Sequence, residues 1–252
     1  MPHLGGFLTN IMLDTYKKHV EERALQGIPP LPLNAEQVSE LVELLKSPPD
    51  GEEEYILDLI TNRTPAGVDP AAYVKAAFLT AIAKEETYSP LINKHYATEL
   101  LGTMLGGYNV ESLIGLLADE EVGSIAAEGL SKTLLMFNAK HDVIELAKNN
   151  KNAQRVVDSW AEAEWFNNKP KLPEMIKAIV FRVEGEINTD DFSPAQDAPS
   201  RPDIPLHALA MLKKTFQDPI GTIEKLKESG LPVVFVGDVV GTGSSRKSAT
   251  NS

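Results

Sequence analysis

The stretch N-A-E-Q-V-S-E-L-V-E-L-L-K, residues 34–46, decides the fold of the first part of the chain. Its apolar residues recur every three or four positions and form one stripe along a helix, made of Val38, Leu41, Val42 and Leu45. Asn34 is a favoured residue at a helix start, and Gln37 stands where it would complete a capping box. The pattern therefore predicts an amphipathic helix from Ala35 onward.

Similar helical patterns continue from about Leu13 to Asn168. Asp69 followed by Pro70 predicts another helix start, and Asn93 and Asn109 are predicted to cap two more helices. Further helices are predicted over residues 120–137, 139–149 and 152–166. Because the breaks between them are short and numerous, helical hairpins stacked as a loose solenoid fit better than a four-helix bundle.

The character of the sequence changes near residue 170. Residues 176–183 are β-branched and partly alternating, which predicts a strand, and residues 231–236 predict a second, buried strand. Residues 188–203 form a turn-rich loop, and helices are predicted over 206–214 and 220–229. An all-α domain is therefore expected before this boundary and an α/β domain after it.

Composition excludes several classes of function. The formal net charge of −12 would repel a nucleic-acid backbone, and the absence of cysteine excludes thiol catalysis, disulfides and iron–sulfur ligation by this chain. No apolar run approaches the roughly 18 residues of a membrane span, and the first eleven residues do not resemble a signal peptide. A cytoplasmic protein is expected.

The glycine-rich segment G-D-V-V-G-T-G-S-S-R-K-S, residues 237–248, is the first candidate site. Both the P-loop and the dinucleotide-binding motif require glycine where this chain has Arg246. Two hydroxyls and a guanidinium beside a helix start would instead hold a carboxylate. A plain turn with a helix cap explains the same residues equally well.

A second polar segment runs through N-T-D-D-F-S-P and S-R-P-D-I-P, residues 188–194 and 200–205. One interpretation is a capped surface turn with an exposed arginine, and the other is a second half of the same polar pocket. The histidines share no metal-ligand spacing, and we expect most of them at the surface or at helix ends; they are His3, His19, His95, His141 and His207.

These two segments, G-T-G-S-S-R and N-T-D-D-F-S-P, together with S-R-P-D-I-P-L-H-A-L-A-M-L-K, resemble the swivel domain of the aconitase family. The phrases M-L-D-T-Y-K-K-H-V-E-E-R, L-L-G-T-M-L-G-G-Y-N and S-W-A-E-A-E-W-F resemble the HEAT-like domain of its bacterial aconitate hydratase B branch. The resemblance implies an all-α HEAT-like helical-repeat domain over 12–169, followed by a partial α/β swivel domain over 170–252. Residues 1–11 lie outside it and are expected to be an extra, disordered segment, with Met12 as the natural start.

The resemblance also implies a function and its residues. The family interconverts citrate and isocitrate through cis-aconitate in the tricarboxylic acid cycle, and the branch also dehydrates 2-methylisocitrate. Ser244 matches the catalytic serine base and Asp190 the active-site aspartate. The matched substrate-binding residues are Arg201, Ser244, Ser245 and Arg246.

The family's [4Fe–4S] cluster is bound by three cysteines in later domains, and this chain has none. The 252-residue chain is therefore expected to be an inactive N-terminal fragment of the enzyme. Implied partners are the tricarboxylate substrate, the remaining aconitase domains, a second copy contacted through the helical domain, and messenger RNA for the cluster-free full-length protein only. A freestanding helical-repeat binding module with a vestigial swivel remnant is the alternative.

Overall fold

The computed structural model describes residues 5–133, 136, 138–200, 204–244 and 249–250. Helices make up most of the chain up to residue 167, with the bounds α1 Gly5–Leu25, α2 Ala35–Lys46, α3 Glu53–Asn62, α4 Pro70–Ala83, α5 Lys94–Thr103, α6 Val110–Leu116, α7 Gly123–Lys132, α8 Lys140–Ala147, α9 Lys151–Ala161 and α10 Glu164–Asn167. A small region with parallel strands follows, with the bounds β1 Ile179–Arg182, β2 Glu186–Asn188, α11 Thr189–Phe192, a 3-10 helix Ala195–Ser200, α12 Ile204–Ala208, α13 Pro219–Lys227, β3 Val233–Val236 and β4 Val239–Thr242.

The chain divides into two compact units. Unit 1 comprises residues 1–9 and 33–171, and unit 2 comprises residues 10–32 and 172–252. The division after residue 171 lies close to the boundary expected from the sequence. The inclusion of residues 10–32 in unit 2 differs from that expectation. Within unit 2, these residues and the 3-10 helix enclose a cavity of about 340 Å³, lined by Arg23, Ile28, Leu31, Gln196, Asp197 and Ser200.

Unit 1 is held together by helices that pack mainly on near neighbours along the chain. The pairs with the most extensive packing include α2 with α4, α4 with α5, α5 with α7, and α8 with α9. The capping box predicted for α2 is confirmed: the Gln37 backbone N–H donates to Asn34 Oδ1 and the Asn34 backbone N–H to Gln37 Oε1, both at 2.9 Å. The predicted apolar stripe of this helix is buried. Local pattern and packing therefore agree in this part of the chain.

Two helix predictions in unit 1 are wrong in detail. Asn109 occupies the position before α6, but its side chain makes no capping bond; its Nδ2 donates instead to the carbonyls of Leu101 (2.7 Å) and Met104 (3.2 Å). The helix predicted from residue 120 begins at Gly123, because Asp119 Oδ1 accepts the Glu121 and Val122 amides and holds a turn there. In both cases a polar side chain binds backbone groups that the local helical pattern does not identify.

The strands of unit 2 form two parallel pairs. β1 pairs with β3 from Ile179 opposite Val233 to Arg182 opposite Val236, and β2 pairs with β4 from Glu186 opposite Val239 to Asn188 opposite Thr242. The predicted strands over 176–183 and 231–236 are thus confirmed over shorter ranges. The second was expected to be buried, but Val234 and Val236 of β3 are exposed, at 44% and 41%. β2 and β4 were not predicted. Aromatic side chains join these pairs to α11, since Phe192 packs edge-to-face on Phe235 with ring centroids 5.2 Å apart.

The helix predicted over residues 206–214 is wrong beyond Ala208, where α12 ends and turns follow. Leu212 adopts a left-handed backbone conformation with φ of 56°, and its N–H donates to the Asp191 carbonyl at 2.6 Å. Leu212 is also almost fully buried, at 1% exposure. Tertiary packing against the end of α11 therefore overrides the helical pattern.

The N-terminal segment also differs from its expectation. Residues 5–11, expected to be disordered, are helical and form the beginning of α1. Extending an existing helix adds a hydrogen bond for each residue fixed, which favours continuation of α1 upstream of Met12. In the part of the chain that the structure describes, no helix is both long enough and apolar enough to cross a membrane.

Candidate functional site

The two segments singled out in the sequence meet at one edge of unit 2. Thr189 and Asp190 follow directly after β2, and Gly243 and Ser244 follow directly after β4. Since β2 and β4 are paired and parallel, their carboxyl ends lie side by side. In open α/β sheets the carboxyl ends of strands are where ligands bind. We call this region the strand-end site, defined by Thr189, Asp190, Gly243 and Ser244.

The contact between Gly243 and Thr189 leaves no room for a side chain on the glycine. A Cβ atom on Gly243 would lie 2.5 Å from Thr189 Oγ1, far inside the normal contact distance. Gly243 also has φ of 103°, a conformation that residues with a side chain rarely adopt. Gly241, with φ of 83°, requires glycine for its conformation but has open space around it. Glycine is therefore required at position 243 because Thr189 approaches it closely, and at position 241 because of its backbone conformation.

The loops that enter β2 and β4 are joined to each other as well. The Gly185 N–H donates to Asp238 Oδ2 at 3.1 Å, and the Asp238 N–H donates back to the Gly185 carbonyl at 3.0 Å. At the other end of the pair, Thr242 Oγ1 donates to a carboxylate oxygen of Glu186. These bonds fix the position of β4 beside β2, and hence of Ser244 beside the start of α11.

The two aspartates at the start of α11 have different surroundings. Asn188 Oδ1 accepts the N–H groups of Asp190 (2.8 Å) and Asp191 (3.1 Å), and Asp191 Oδ2 accepts the Asn188 N–H at 2.8 Å. This capping box holds the Asp191 carboxylate on the backbone, while the Asp190 side chain is exposed to solvent. Of the two, Asp190 is the carboxylate that a ligand could reach.

Ser244 is exposed at the end of the strand-end site. The other three predicted substrate-binding residues, Arg201, Ser245 and Arg246, lie outside the described residues. The structure therefore brings the segments of Asp190 and Ser244 together, and the two arginines stay predictions.

A buried histidine was missed by the sequence reasoning. His207 was expected, like most of the histidines, at the surface or at a helix end; it does lie in the last turn of α12, but it is buried, at 0% exposure. Its Nε2 lies 2.8 Å from Ser193 Oγ and its Nδ1 lies 2.8 Å from Ser200 Oγ. The signal for this cluster was a serine in each part of the second polar segment. Ser193 follows α11, and Ser200 precedes Arg201.

An ion pair lies beside this cluster. Asp197 is only 5% exposed, and its Oδ2 accepts a hydrogen bond from Lys213 Nζ. Burial of an unpaired carboxylate is costly, so this lysine balances the charge that Asp197 brings into unit 2. Ser200 joins the pair to the histidine, because its hydroxyl donates to the Asp197 carbonyl at 2.7 Å.

The residues of this chain do not fit an iron–sulfur cluster. Such clusters are held mainly by cysteine thiolates, and the sequence contains no cysteine. Over the ranges that the structure describes, no group of three or more histidine, aspartate or glutamate side chains is arranged to hold a metal ion. The described residues of the strand-end site offer hydroxyls, a carboxylate and backbone groups.

Comparison with known proteins gives two family matches. The model described as Aconitate B N-terminal domain matches residues 15–166, and that described as Aconitate hydratase 2 N-terminus matches residues 178–252. The second match contains the whole strand-end site, together with both predicted arginines.

Curated relatives are similar over almost the entire chain. Aconitate hydratase B of Pseudomonas aeruginosa is 62% identical over 96% of this chain, and that of Escherichia coli is 60% identical over 96%. Aconitate hydratase B of Helicobacter pylori is 51% identical over 95%. The matches cover 29%, 29% and 28% of these relatives, so the chain spans less than a third of the length of the proteins it resembles.

Proposed function

Because this chain belongs to the aconitate hydratase B family, we propose that it is the N-terminal part of an enzyme that interconverts citrate and isocitrate through cis-aconitate. The observation that carries the proposal is the contact of Gly243 with Thr189 at the strand-end site. It supports a shared site for two segments that are far apart in sequence and that each resemble part of the aconitase substrate pocket. Dehydration of 2-methylisocitrate and a cytoplasmic location belong to the same proposal.

In this proposal Ser244 is the base. It removes a proton from a substrate carbon, and returns one to cis-aconitate in the reverse direction. A serine hydroxyl is a weak base at neutral pH, so its alkoxide needs nearby positive charge and hydrogen-bond donors. Arg246 and Lys247 lie two and three residues after Ser244 in the sequence and can supply that charge.

The remaining residues orient the substrate. Arg201 and Arg246 each hold a carboxylate through paired hydrogen bonds, and Ser245 adds a hydroxyl donor. In this proposal Asp190 accepts a hydrogen bond from the substrate hydroxyl or takes part in proton transfer, and the exposure of this residue, next to Thr189 in the sequence, supports the role. A tricarboxylate fits such a site because it presents several carboxylates to a pair of guanidinium groups.

The [4Fe–4S] cluster of the family supplies a Lewis acid when bound. Since this chain does not fit the cluster, we propose that its ligands belong to other domains of the enzyme. We propose also that the 252-residue chain alone does not turn over citrate, even after incubation with iron and sulfide. Formation of cis-aconitate by the purified chain, followed by its ultraviolet absorbance, would contradict this.

The alternative function, a freestanding helical-repeat binding module, has less support. The match of residues 178–252 to an aconitate hydratase family model supports a working enzyme segment rather than a vestigial one. Dimerisation through the helical part, and messenger RNA binding by the cluster-free full-length protein, are further implications of the family resemblance. The net charge of −12 lends no support to RNA binding by this chain.

Binding of citrate tests the substrate assignment without requiring turnover. Amide NMR spectra of the 252-residue chain are recorded during titration with citrate, and shifts are expected at residues 189–190 and 243–244. Arg246→Gln should weaken binding about tenfold or more, because it removes a charge-assisted hydrogen bond to a carboxylate. Arg182→Gln is the matched control: it removes the same charge from an exposed position of β1, away from the site.

The control separates a specific site from general attraction of an anion. Citrate shifts at the strand-end site that respond to Arg246→Gln and not to Arg182→Gln support the proposal. Equal weakening by both substitutions, or no shifts in the wild-type chain, would contradict it.

A further inference from the structure

The buried ring of His207 connects two separate segments of unit 2. On one side, Ser193 Oγ lies 2.8 Å from Nε2, and on the other Ser200 Oγ lies 2.8 Å from Nδ1. All three residues are buried, with exposures of 0% for His207, 0% for Ser193 and 3% for Ser200. A polar cluster at this depth contributes to stability only if its hydrogen bonds are made, so the geometry of the three side chains is tightly constrained.

The direction of each hydrogen bond follows from the number of hydrogens available. The Ser200 hydroxyl donates its single hydrogen to the Asp197 carbonyl at 2.7 Å. Nδ1 of His207 must then donate to Ser200 Oγ, and in the neutral ring Nε2 accepts from the Ser193 hydroxyl. The tautomer with its hydrogen on Nδ1 thus satisfies both serines. A side chain with a single polar atom could not replace the histidine.

Each serine lies next to a residue of the proposed site. Ser193 follows α11 directly, and its N–H donates to the carbonyl of Thr189, the residue that contacts Gly243. Ser200 ends the 3-10 helix and precedes Arg201 in the sequence. The histidine therefore holds together the end of the segment that carries Asp190 and the beginning of the segment that carries Arg201.

We propose that His207 is a positioning residue that fixes the distance between Ser193, at the end of the segment that carries Asp190, and Ser200, at the end of the 3-10 helix. This inference rests on the proposed function for its substrate but not for its geometry. Small displacements of orienting groups have large effects on binding and rate, which is why a fixed spacing matters here.

Asp197 contributes its backbone carbonyl to Ser200, while its carboxylate is bound to Lys213. Both nitrogens of the His207 ring therefore contact serine hydroxyls.

Amide hydrogen exchange of the 252-residue chain tests the geometry without any ligand. His207→Leu removes both ring nitrogens at similar volume, and exchange should become at least about tenfold faster at the amides of both Ser193 and Asp197. His207→Asn keeps a donor near the position of Nδ1 but cannot reach Ser193. It should accelerate the Ser193 amide while leaving the Asp197 amide within about twofold of wild type.

Val183→Ala is the matched control, because Val183 is buried at 6% in the apolar core of the same unit. It removes core packing without removing a hydrogen bond of the cluster. A positioning role predicts that citrate affinity falls about tenfold in His207→Leu and stays unchanged in Val183→Ala. If His207 only filled space, citrate affinity would change equally in His207→Leu and Val183→Ala.

The outcomes separate the two proposals. Equal acceleration of exchange in His207→Leu and Val183→Ala, or acceleration of both amides in His207→Asn, would overturn the positioning role. If the wild-type chain shows no citrate shifts but His207→Leu still accelerates exchange in both segments, the proposed substrate is overturned. The proposal that His207 holds the two segments together is then supported.

Discussion

Substitution of Gly243 by alanine should disrupt the strand-end site through two separable effects. The first is conformational, because alanine at φ of 103° is strained whatever space surrounds it. The second is steric, because the new Cβ would lie 2.5 Å from Thr189 Oγ1. Strain at an unfavourable backbone conformation costs about 1–3 kcal/mol, and overpacking adds about 1–3 kcal/mol. We expect a local loss of about 2–5 kcal/mol in the free energy of opening, the sum of the two with some relaxation.

Gly241→Ala provides the matched control for the first effect. Gly241 has φ of 83°, but a Cβ atom there would meet nothing within 4 Å. Gly241→Ala should therefore lower the free energy of opening by the conformational cost alone, about 1–3 kcal/mol. The difference between the two variants isolates the contact with Thr189.

The assay is hydrogen exchange measured by mass spectrometry on peptides that contain β2 and β4, which reads the opening of this pair directly. Thr189→Ala, made alone and together with Gly243→Ala, completes a double-mutant cycle. Removal of Oγ1 should recover about 1 kcal/mol or more of the loss caused by Gly243→Ala. Equal losses in Gly241→Ala and Gly243→Ala, with no coupling to Thr189, would show that the two segments do not meet as described.

Two further predictions concern single hydrogen-bonding side chains of unit 2. Asn188→Ala removes the acceptor for the amides of Asp190 and Asp191 and should destabilise α11 by about 1 kcal/mol. Asn188→Asp keeps an acceptor and should lose little stability. Hydrogen exchange at the two amides measures both variants, and equal losses of stability would contradict the capping role. His19 Nε2 accepts the Leu31 N–H at 2.9 Å, and burial, followed by the charge of Arg23, lowers the pKa of His19 below its ordinary value of 6.5. Because the folded state then binds fewer protons than the unfolded state, the stability from this bond is complete above pH 6.5 and declines as the pH falls below it. Exchange at the Leu31 amide, corrected for its intrinsic rate, should show this decline in the wild type and not in His19→Gln; an identical pH dependence in the two would refute it.

The helices of unit 1 were largely predictable because their signals are local. The capping box of Asn34 and Gln37 and the apolar stripe after it lie within one short stretch, and the structure confirms both. Asn109 shows the limit of such reasoning. An asparagine before a helix is a good cap in general, but here the carbonyls of Leu101 and Met104 bind its amide instead.

Unit 2 was predicted less well because its determinants are distant in sequence. β2 has three residues and β4 has four, too few to show a period, and each is a strand because it pairs with the other. The turn at Leu212 depends on the carbonyl of Asp191, which the local helical pattern cannot reveal. The burial of His207 likewise depends on serines 14 and 7 residues away in the chain.

The candidate site was predicted at the level of its segments. A shared pocket was one of two interpretations of these polar stretches, and the Gly243–Thr189 contact brings the segments of Asp190 and Ser244 to one sheet edge. The chemistry of the residues was readable from the sequence, but the parallel pairing that joins them was not.

The pairing of β2 with β4 has a consequence for the order in which the protein is made. The bond between Gly185 and Asp238 joins residues 53 positions apart, and both sides of the strand-end site depend on that junction. The ribosome releases Asp190 long before it has synthesised β4. β2 and α11 therefore emerge before the strand that pairs with β2. Closing so long a segment is slow compared with forming the local helices of unit 1. The strand-end site would thus be the last part of this region to mature on a nascent chain, after the helical part has already folded.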